Sequence, residues 1–427
     1  MRITDLRLAR TGDTARAAAR VTWEETARPP FDLFFETTGP GAEDFGAEPE
    51  AFFLASVLPA MKNRERRVFV EGTLCPRLAD GVTAAIALLG DWYRPRRCPV
   101  AIEPSEGFRA IAPRQPARAA FFLTGGVDSL HLLQTNRSHY PPAHPNAFQD
   151  AVSVFGHLCA DSDESPWVDR VRPVIARIAA RSGLEIVFFR TNVWRLEPDL
   201  PFVTEESLSA SLLSTIHLLR RRWTSVSIAT GRDAGSEVVR GTHPMLDPLY
   251  GSSAFDVHHD PSPFNRFERL AQLSARPGGV EDLVVCLAYP AAPDLNCGRC
   301  EKCVRTMTQL VALGRLSEAR LFPSDVRPET IRAISIKPIE AAYWIEIVPA
   351  LAARGREDLV EAVRERLVDT RRFERWSRDE GWKGRLRKLD RCFLGGRLLG
   401  LRKRIAPGGY RSQNPMTRAK RPSGETS

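Results

Sequence analysis

No apolar run in this sequence is long enough to cross a bilayer. The opening MRITDLRLARTGD mixes charge throughout and builds no signal-peptide apolar core. Membrane-spanning and secreted classes are set aside, and a cytoplasmic protein is the expectation. The dinucleotide fingerprint G-x-G-x-x-G is absent, which weakens a nicotinamide-enzyme reading. The body of the chain also lacks excess charge. Of the formal +9, residues 371–427 carry 17 Lys and Arg against 5 Asp and Glu, while the remainder holds 44 against 47. A basic pI therefore gives no argument for nucleic-acid binding by the core. Cysteine is scarce, eight in 427 residues, yet Cys297, Cys300 and Cys303 fall together. In a cytosolic chain that clustering reads as metal ligation before disulfides.

What is present is an ordinary globular composition, 43% hydrophobic and 26% charged, in a chain too long for one domain. Residues 1–112 read as an α+β module. FDLFFET (31–37), RRVFVEG (66–72) and PVAIE (99–103) are its strands, and 77–93 is an apolar-rich helix. No catalytic constellation is visible there. After a linker at 112–116 the pattern becomes alternating strands and helices. Strands are expected at 119–123, 150–157, 184–193 and 225–231, with helices between them and a short strand at FDVHH. Repeated βα units imply a doubly wound parallel sheet with its ligand at the carboxyl ends of the strands. That arrangement puts Thr124–Ser129, Gly156-His157, Thr191-Asn192 and Gly231-Arg232 on one rim.

The stretch FFLTGGVDSLHLLQ, Phe121 to Gln134, organises the chain. An apolar strand stops at Thr124-Gly125-Gly126 and a helix begins after Asp128-Ser129. Adjacent glycines let backbone N–H groups approach a ligand, and a helix N-terminus adds orphan donors and positive dipole charge. Thr124 and Ser129 can donate to phosphate oxygens, and Asp128 can hold magnesium. Downstream, the loop from Gly231 to about Leu270 is dense in polar groups. Arg232, Asp233, His243, His258 and His259 are its candidate substrate residues. Then Cys286 is followed by the C-x-x-C-x-x-C of Cys297, Cys300 and Cys303. Four thiolates close the tetrahedron of a structural zinc ion, and an iron–sulfur cluster uses the same number.

TGGVDS resembles the SGGxDS pyrophosphate-binding loop of the PP-loop ATP pyrophosphatases, with Thr124 where that family usually has serine. An isolated cysteine followed by C-G-x-C-x-x-C is similar to the zinc site of the 7-cyano-7-deazaguanine synthase family, which belongs to the same superfamily. The resemblance covers about residues 118–310. It implies a five-stranded parallel sheet with ATP across its rim, and adenylation of a carboxylate or amide with release of pyrophosphate. Outside the resemblance, residues 311–405 read as a helical C-terminal region. Glu206-Ser207 stand where the synthase has an arginine–asparagine pair, so a different substrate is expected. ATP, magnesium, structural zinc and a small-molecule substrate are the implied ligands, and a second copy of the chain is a further candidate partner. A tRNA sulfur-transfer enzyme and a non-catalytic nucleotide-binding scaffold are the alternatives. In the tail, Trp382, Leu386, Leu389 and Phe393 form one apolar face of a basic amphipathic helix. Such a helix fits a membrane surface or a protein partner. Residues 406–427 have the composition of a disordered end.

Overall fold

Ten strands join in one mixed, mostly parallel sheet in the computed structural model, which describes residues 1–93, 97–156, 166–229, 231, 240–260, 262–286 and 294–377. The chain is α/β. It divides into two compact units, Met1–Leu273 and Ser274–Ser427. Among the described residues no helix is long and apolar enough to cross a membrane.

In the first unit, β1 (Arg2–Thr11) and β2 (Thr14–Thr22) form an antiparallel hairpin, and β3 (Phe31–Thr38) pairs with β2. The sequence reading left β1 and β2 without assignment. The reason is compositional. β2 buries Ala15, Ala17, Ala19 and Val21 on alternate positions, and alanine is a weak strand signal. Helix α1 (Pro49–Lys62) also went unread. It is buried on nearly every side from Glu50 to Met61, so no amphipathic period marks it. Then come β4 (Arg67–Val70), α2 (Pro76–Trp92) and β5 (Ala101–Pro104), close to their expected places.

The βα series follows: β6 (Ala119–Phe122), α3 (Val127–His139), β7 (Phe148–Phe155), α4 (Pro166–Arg181) and β8 (Glu185–Thr191). A single turn α5 (Leu200–Phe202) and a wide turn at Val203–Ser207 lead into α6 (Leu208–His217). β9 (Ser225–Ile228), β10 (Asp256–His259) and α7 (Arg266–Ser274) complete it. The sheet order is β10-β9-β6-β7-β8-β3-β2-β1-β4-β5. Strands β6 to β10 run parallel to one another. Antiparallel pairing of β3 with β8 joins them to the N-terminal strands, so residues 1–112 extend the same sheet. Burial explains this continuity: β6 is buried along its whole length, and the apolar residues of β3, α1 and α6 share one core.

The second unit is helical beyond its cysteines: α8 (Glu301–Leu313), α9 (Pro328–Ala333), α10 (Ala341–Ile345), α11 (Val348–Ala353) and α12 (Glu357–Ser377). Trp344, Ile347, Leu351, Leu359 and Val363 are among its buried apolar side chains. The amphipathic segment 382–393 and the tail 406–427 lie outside the described residues, as do His157, Arg232 and Asp233.

Candidate functional site

β6 stands between β7 on one side and β9 on the other. The chain moves outward from β6 through β7 to β8 and later returns to β9, so the strand order reverses at β6. In parallel sheets a ligand crevice opens at the carboxyl end of such a strand. The loop Thr124–Ser129 occupies that place.

Gly125 has φ +73°, a conformation that a Cβ would strain, and the turn leads directly into α3. The loop's hydroxyls form a closed ring. Ser129 Oγ accepts from Thr124 N–H at 3.2 Å, lies 3.1 Å from Thr124 Oγ1 and donates to Gly126 O at 3.1 Å. Gly126 N–H donates back to Thr124 Oγ1 at 3.3 Å. Ser129 is buried and Thr124 exposed, so Ser129 braces the loop while Thr124 faces solvent.

Asp128 occupies the first turn of α3, where a carboxylate suits the dipole. Its Oδ2 takes Arg266 Nη1 at 2.6 Å, and its Oδ1 lies 3.5 Å from Arg269 Nη1. Both arginine side chains are buried. They come from the start of α7, fixed by a reciprocal cap. Asn265 Oδ1 accepts Glu268 N–H at 2.9 Å, and Glu268 Oε2 accepts Asn265 N–H at 2.9 Å. Arg269 Nε donates to Phe264 O at 2.9 Å. Arg266 Nε and Nη2 are buried and have no hydrogen-bond partner among the described residues. A cation that leaves two donors unpaired in a dry site is costly unless an anion completes it. Magnesium held directly by Asp128 would sit against two guanidinium groups, and this residue set does not fit it.

The rim residues fall into separate groups. Gly231 lies beside the loop, where an added Cβ would be 4.0 Å from Asp128 Oδ2. His259 Nδ1 is 2.7 Å from Asp247 Oδ2, and the buried Asp247 also takes His243 N–H at 3.1 Å. His243 packs edge-on against Trp92 at 4.9 Å, and burial lowers its pKa. Thus Asp247 brings His243 and His259 together, whereas His258 is exposed on β10. Glu206 is engaged by Arg97, with Nε at 2.5 Å, which ties the wide turn to the segment after α2.

The second unit holds the cysteines. The sulfurs of Cys286, Cys297, Cys300 and Cys303 all lie within 4.8 Å of one another, and this set can hold a metal ion. Cys297 and Cys303 are 3.9 Å apart, close to the ~3.8 Å edge of a tetrahedron with ~2.3 Å metal–sulfur bonds. Backbone N–H groups point at the sulfurs: Cys300 N–H to Cys297 Sγ at 3.3 Å, and Cys303 N–H to Cys300 Sγ at 3.4 Å. Such donors stabilise thiolate, and hydrogen bonding from the Cys286 thiol holds Cys297 well below the ordinary thiol range. Gly298 has φ +63°, and a Cβ there would meet Pro323 Cγ at 2.6 Å. Buried Asn296 accepts from Val285 N–H at 2.8 Å and Cys286 N–H at 3.3 Å, and donates to Leu283 O and Leu321 O. It locks the isolated cysteine beside the triplet.

The sequence places Arg266 in the polar rim loop without a role of its own and gives no reading of Arg269 or Asn296 as site residues. Asn265-x-x-Glu268 was the available signal for the first two, because it fixes a helix start with arginines one turn apart. Comparison with family models, with curated proteins and with solved structures returns no match.

Proposed function

We propose that the first unit is an ATP-dependent adenylating enzyme of the PP-loop kind, with β6–β10 as its doubly wound five-stranded sheet. The observation that carries this reading is the pair of Arg266 donors, unpartnered among the described residues, beside a glycine turn and helix N-terminus where strand order reverses. A pyrophosphate group is the anion whose size and charge suit that setting. A substrate carboxylate or amide oxygen attacks the α-phosphorus of ATP, and the bond to the bridging oxygen of the β-phosphate breaks. Pyrophosphate leaves toward Arg266 and the turn. A nitrogen nucleophile then displaces AMP from the adenylate and gives up a proton. Positioning and preorganised positive charge supply the catalysis. In the second unit the four thiolates hold zinc as a structural ion, because no coordination position stays open for water.

Calorimetry with pyrophosphate and with ATP tests the loop. Wild type should bind both saturably, and Arg266→Gln should weaken pyrophosphate binding about 10- to 100-fold, the scale of one or two charged hydrogen bonds. Folded wild type that binds neither ligand overturns the reading. Binding without pyrophosphate release across carboxylates and amides would make the chain a nucleotide-binding scaffold. Elemental analysis of the purified protein separates zinc from iron, and a brown chromophore would favour sulfur transfer.

A further inference from the structure

Four histidines, His131, His139, His258 and His259, line one cleft of about 540 Å³ between α3, β9, β10 and the segment before α7. What lies behind each ring tells them apart. His131 Nε2 is 3.1 Å from Gln272 Oε1, and His139 Nδ1 is 2.8 Å from the Thr135 carbonyl of its own helix. His258 is exposed on β10. Among the described residues His259 alone of the four is hydrogen-bonded to a carboxylate, with Asp247 Oδ2 at 2.7 Å from its Nδ1.

That carboxylate fixes the tautomer of the ring. Asp247 is fully buried, and its Oδ1 accepts the His243 N–H at 3.1 Å. A carboxylate that accepts a backbone N–H on one oxygen takes the imidazole N–H on the other, so Nδ1 carries the proton and Nε2 is bare. The Asp247 side chain is sealed, whereas that of His259 keeps 10% of its surface and lines the cleft. His259 also ends β10, at the carboxyl edge of the parallel strands where ligands sit. The next residue, Asp260, has its Oδ2 3.9 Å from Arg269 Nη1, and the same nitrogen is 3.5 Å from Asp128 Oδ1. Two side-chain contacts therefore lead from the end of β10 to the glycine loop.

We propose that His259 is the general base of the second half-reaction and that Asp247 is its positioning residue, an inference that rests on the adenylation reading. The nitrogen nucleophile attacks the carbonyl carbon of the acyl-adenylate. A C–N bond forms, the C–O bond to AMP breaks, and AMP leaves with the electron pair. The proton given up by nitrogen goes to His259 Nε2, and the buried Asp247 carboxylate balances the charge that the imidazole gains. His131 does not replace it. Its unpartnered Nδ1 is sealed from solvent, out of a nucleophile's reach.

Nitrogen-15 NMR of the full chain at mildly alkaline pH reads the tautomer with no substrate present. Wild type should show His259 protonated at Nδ1 and bare at Nε2. In Asp247→Asn the His243 N–H keeps the side-chain oxygen on its own side, so the new amide N–H₂ faces Nδ1 and the ring should switch to the other tautomer. A wild-type ring protonated at Nε2 overturns the proposal. Kinetics then separates the base from adenylation. Exchange of labelled pyrophosphate into ATP, measured across a panel of small carboxylates, reads the first step. Amide formed from ammonium and hydroxamate formed from hydroxylamine read the second. Hydroxylamine is the stronger nucleophile and is unprotonated near neutral pH, so it needs the base least. Asp247→Asn and His259→Gln, shown folded by circular dichroism, should each lower amide formation about 100-fold or more and hydroxamate formation far less. Should Asp247→Asn not fold, His259→Gln carries the kinetic test. Equal losses for the two nucleophiles, or no loss, overturn the base and leave adenylation standing. Wild type that exchanges pyrophosphate with no carboxylate overturns the adenylation reading and the base with it.

Discussion

Two carboxylate–arginine clusters in the first unit are built from the same groups, yet one is closed and the other open. Asp150 lies at the amino end of the parallel strands and is fully buried. Its Oδ2 accepts Trp223 Nε1 at 2.6 Å, and both oxygens accept from Arg118 at 2.5 Å. Arg222 completes it, reaching Glu185 at 2.6 Å and Asp150 at 3.4 Å. Asp128 lies at the carboxyl end with Arg266 and Arg269, and there two donors of one guanidinium meet no acceptor among the described residues. Buried ion pairs need every lone pair and proton satisfied before they repay desolvation. The Asp150 cluster nearly meets that condition with protein atoms alone. The Asp128 cluster does not meet it among the described residues, and under the proposed reading a pyrophosphate would complete it.

The largest effect expected from this contrast is on folding. Asp150→Ala leaves Trp223 Nε1 and two arginines without their shared acceptor. It should cost about 3–5 kcal/mol, or a fall of roughly 10 °C in thermal unfolding for a unit of this size. A change under about 1 kcal/mol would erase the distinction between the clusters. Arg266→Gln should behave in the opposite way, shifting stability by less than about 1 kcal/mol while pyrophosphate affinity falls by the factor given above. If Arg266→Gln unfolds the unit as Asp150→Ala does, the open cluster is a structural one.

An unpartnered buried atom is not by itself a site, and His217 is the control. It is fully buried on α6; Nε2 donates to Tyr250 O at 3.0 Å, and Nδ1 has no partner among the described residues. It lies outside the Thr124–Ser129 turn. Burial lowers its pKa from 6.5 to about 4, so the folded state refuses a proton that the unfolded chain accepts. Its contribution to stability is complete above about pH 6.5, declines as pH falls, and is gone below about pH 4. At about 1.4 kcal/mol per unit, urea unfolding at pH 6.5 and pH 5 should show wild type losing about 2 kcal/mol more than His217→Gln. Equal losses would mean that His217 takes up its proton in the folded state.

These clusters also show what a linear reading can reach. The glycine loop and the cysteine triplet are local patterns, and each lies where its spacing suggested. The partners of Asp128 are 138 and 141 positions away in sequence. Only the return of the chain from β9 through β10 brings them to the loop, and no period in the sequence encodes that. Asn296 was missed for a different reason. Its role depends on holding Cys286 across ten positions, and an asparagine beside a cysteine has no distinctive pattern. The assignment of magnesium to Asp128 came from residue type alone, and the neighbouring arginines change what that carboxylate can hold.

The smallest effect separates the loop's hydroxyls from its charge. Ser129 directs its hydroxyl to Thr124 and Gly126 within the loop, so Ser129→Ala removes a brace and leaves both arginines in place. Its cost should be about 1 kcal/mol of stability, the net worth of a buried hydrogen bond, and its effect on pyrophosphate affinity should be smaller than that of Arg266→Gln. Calorimetry and thermal unfolding of the same two variants decide the matter. A larger affinity loss in Ser129→Ala would mean that the ring opens on binding and hands its hydroxyl to the phosphate. The hydroxyls would then be the binding groups, and the arginines would serve to hold Asp128 away from the anion.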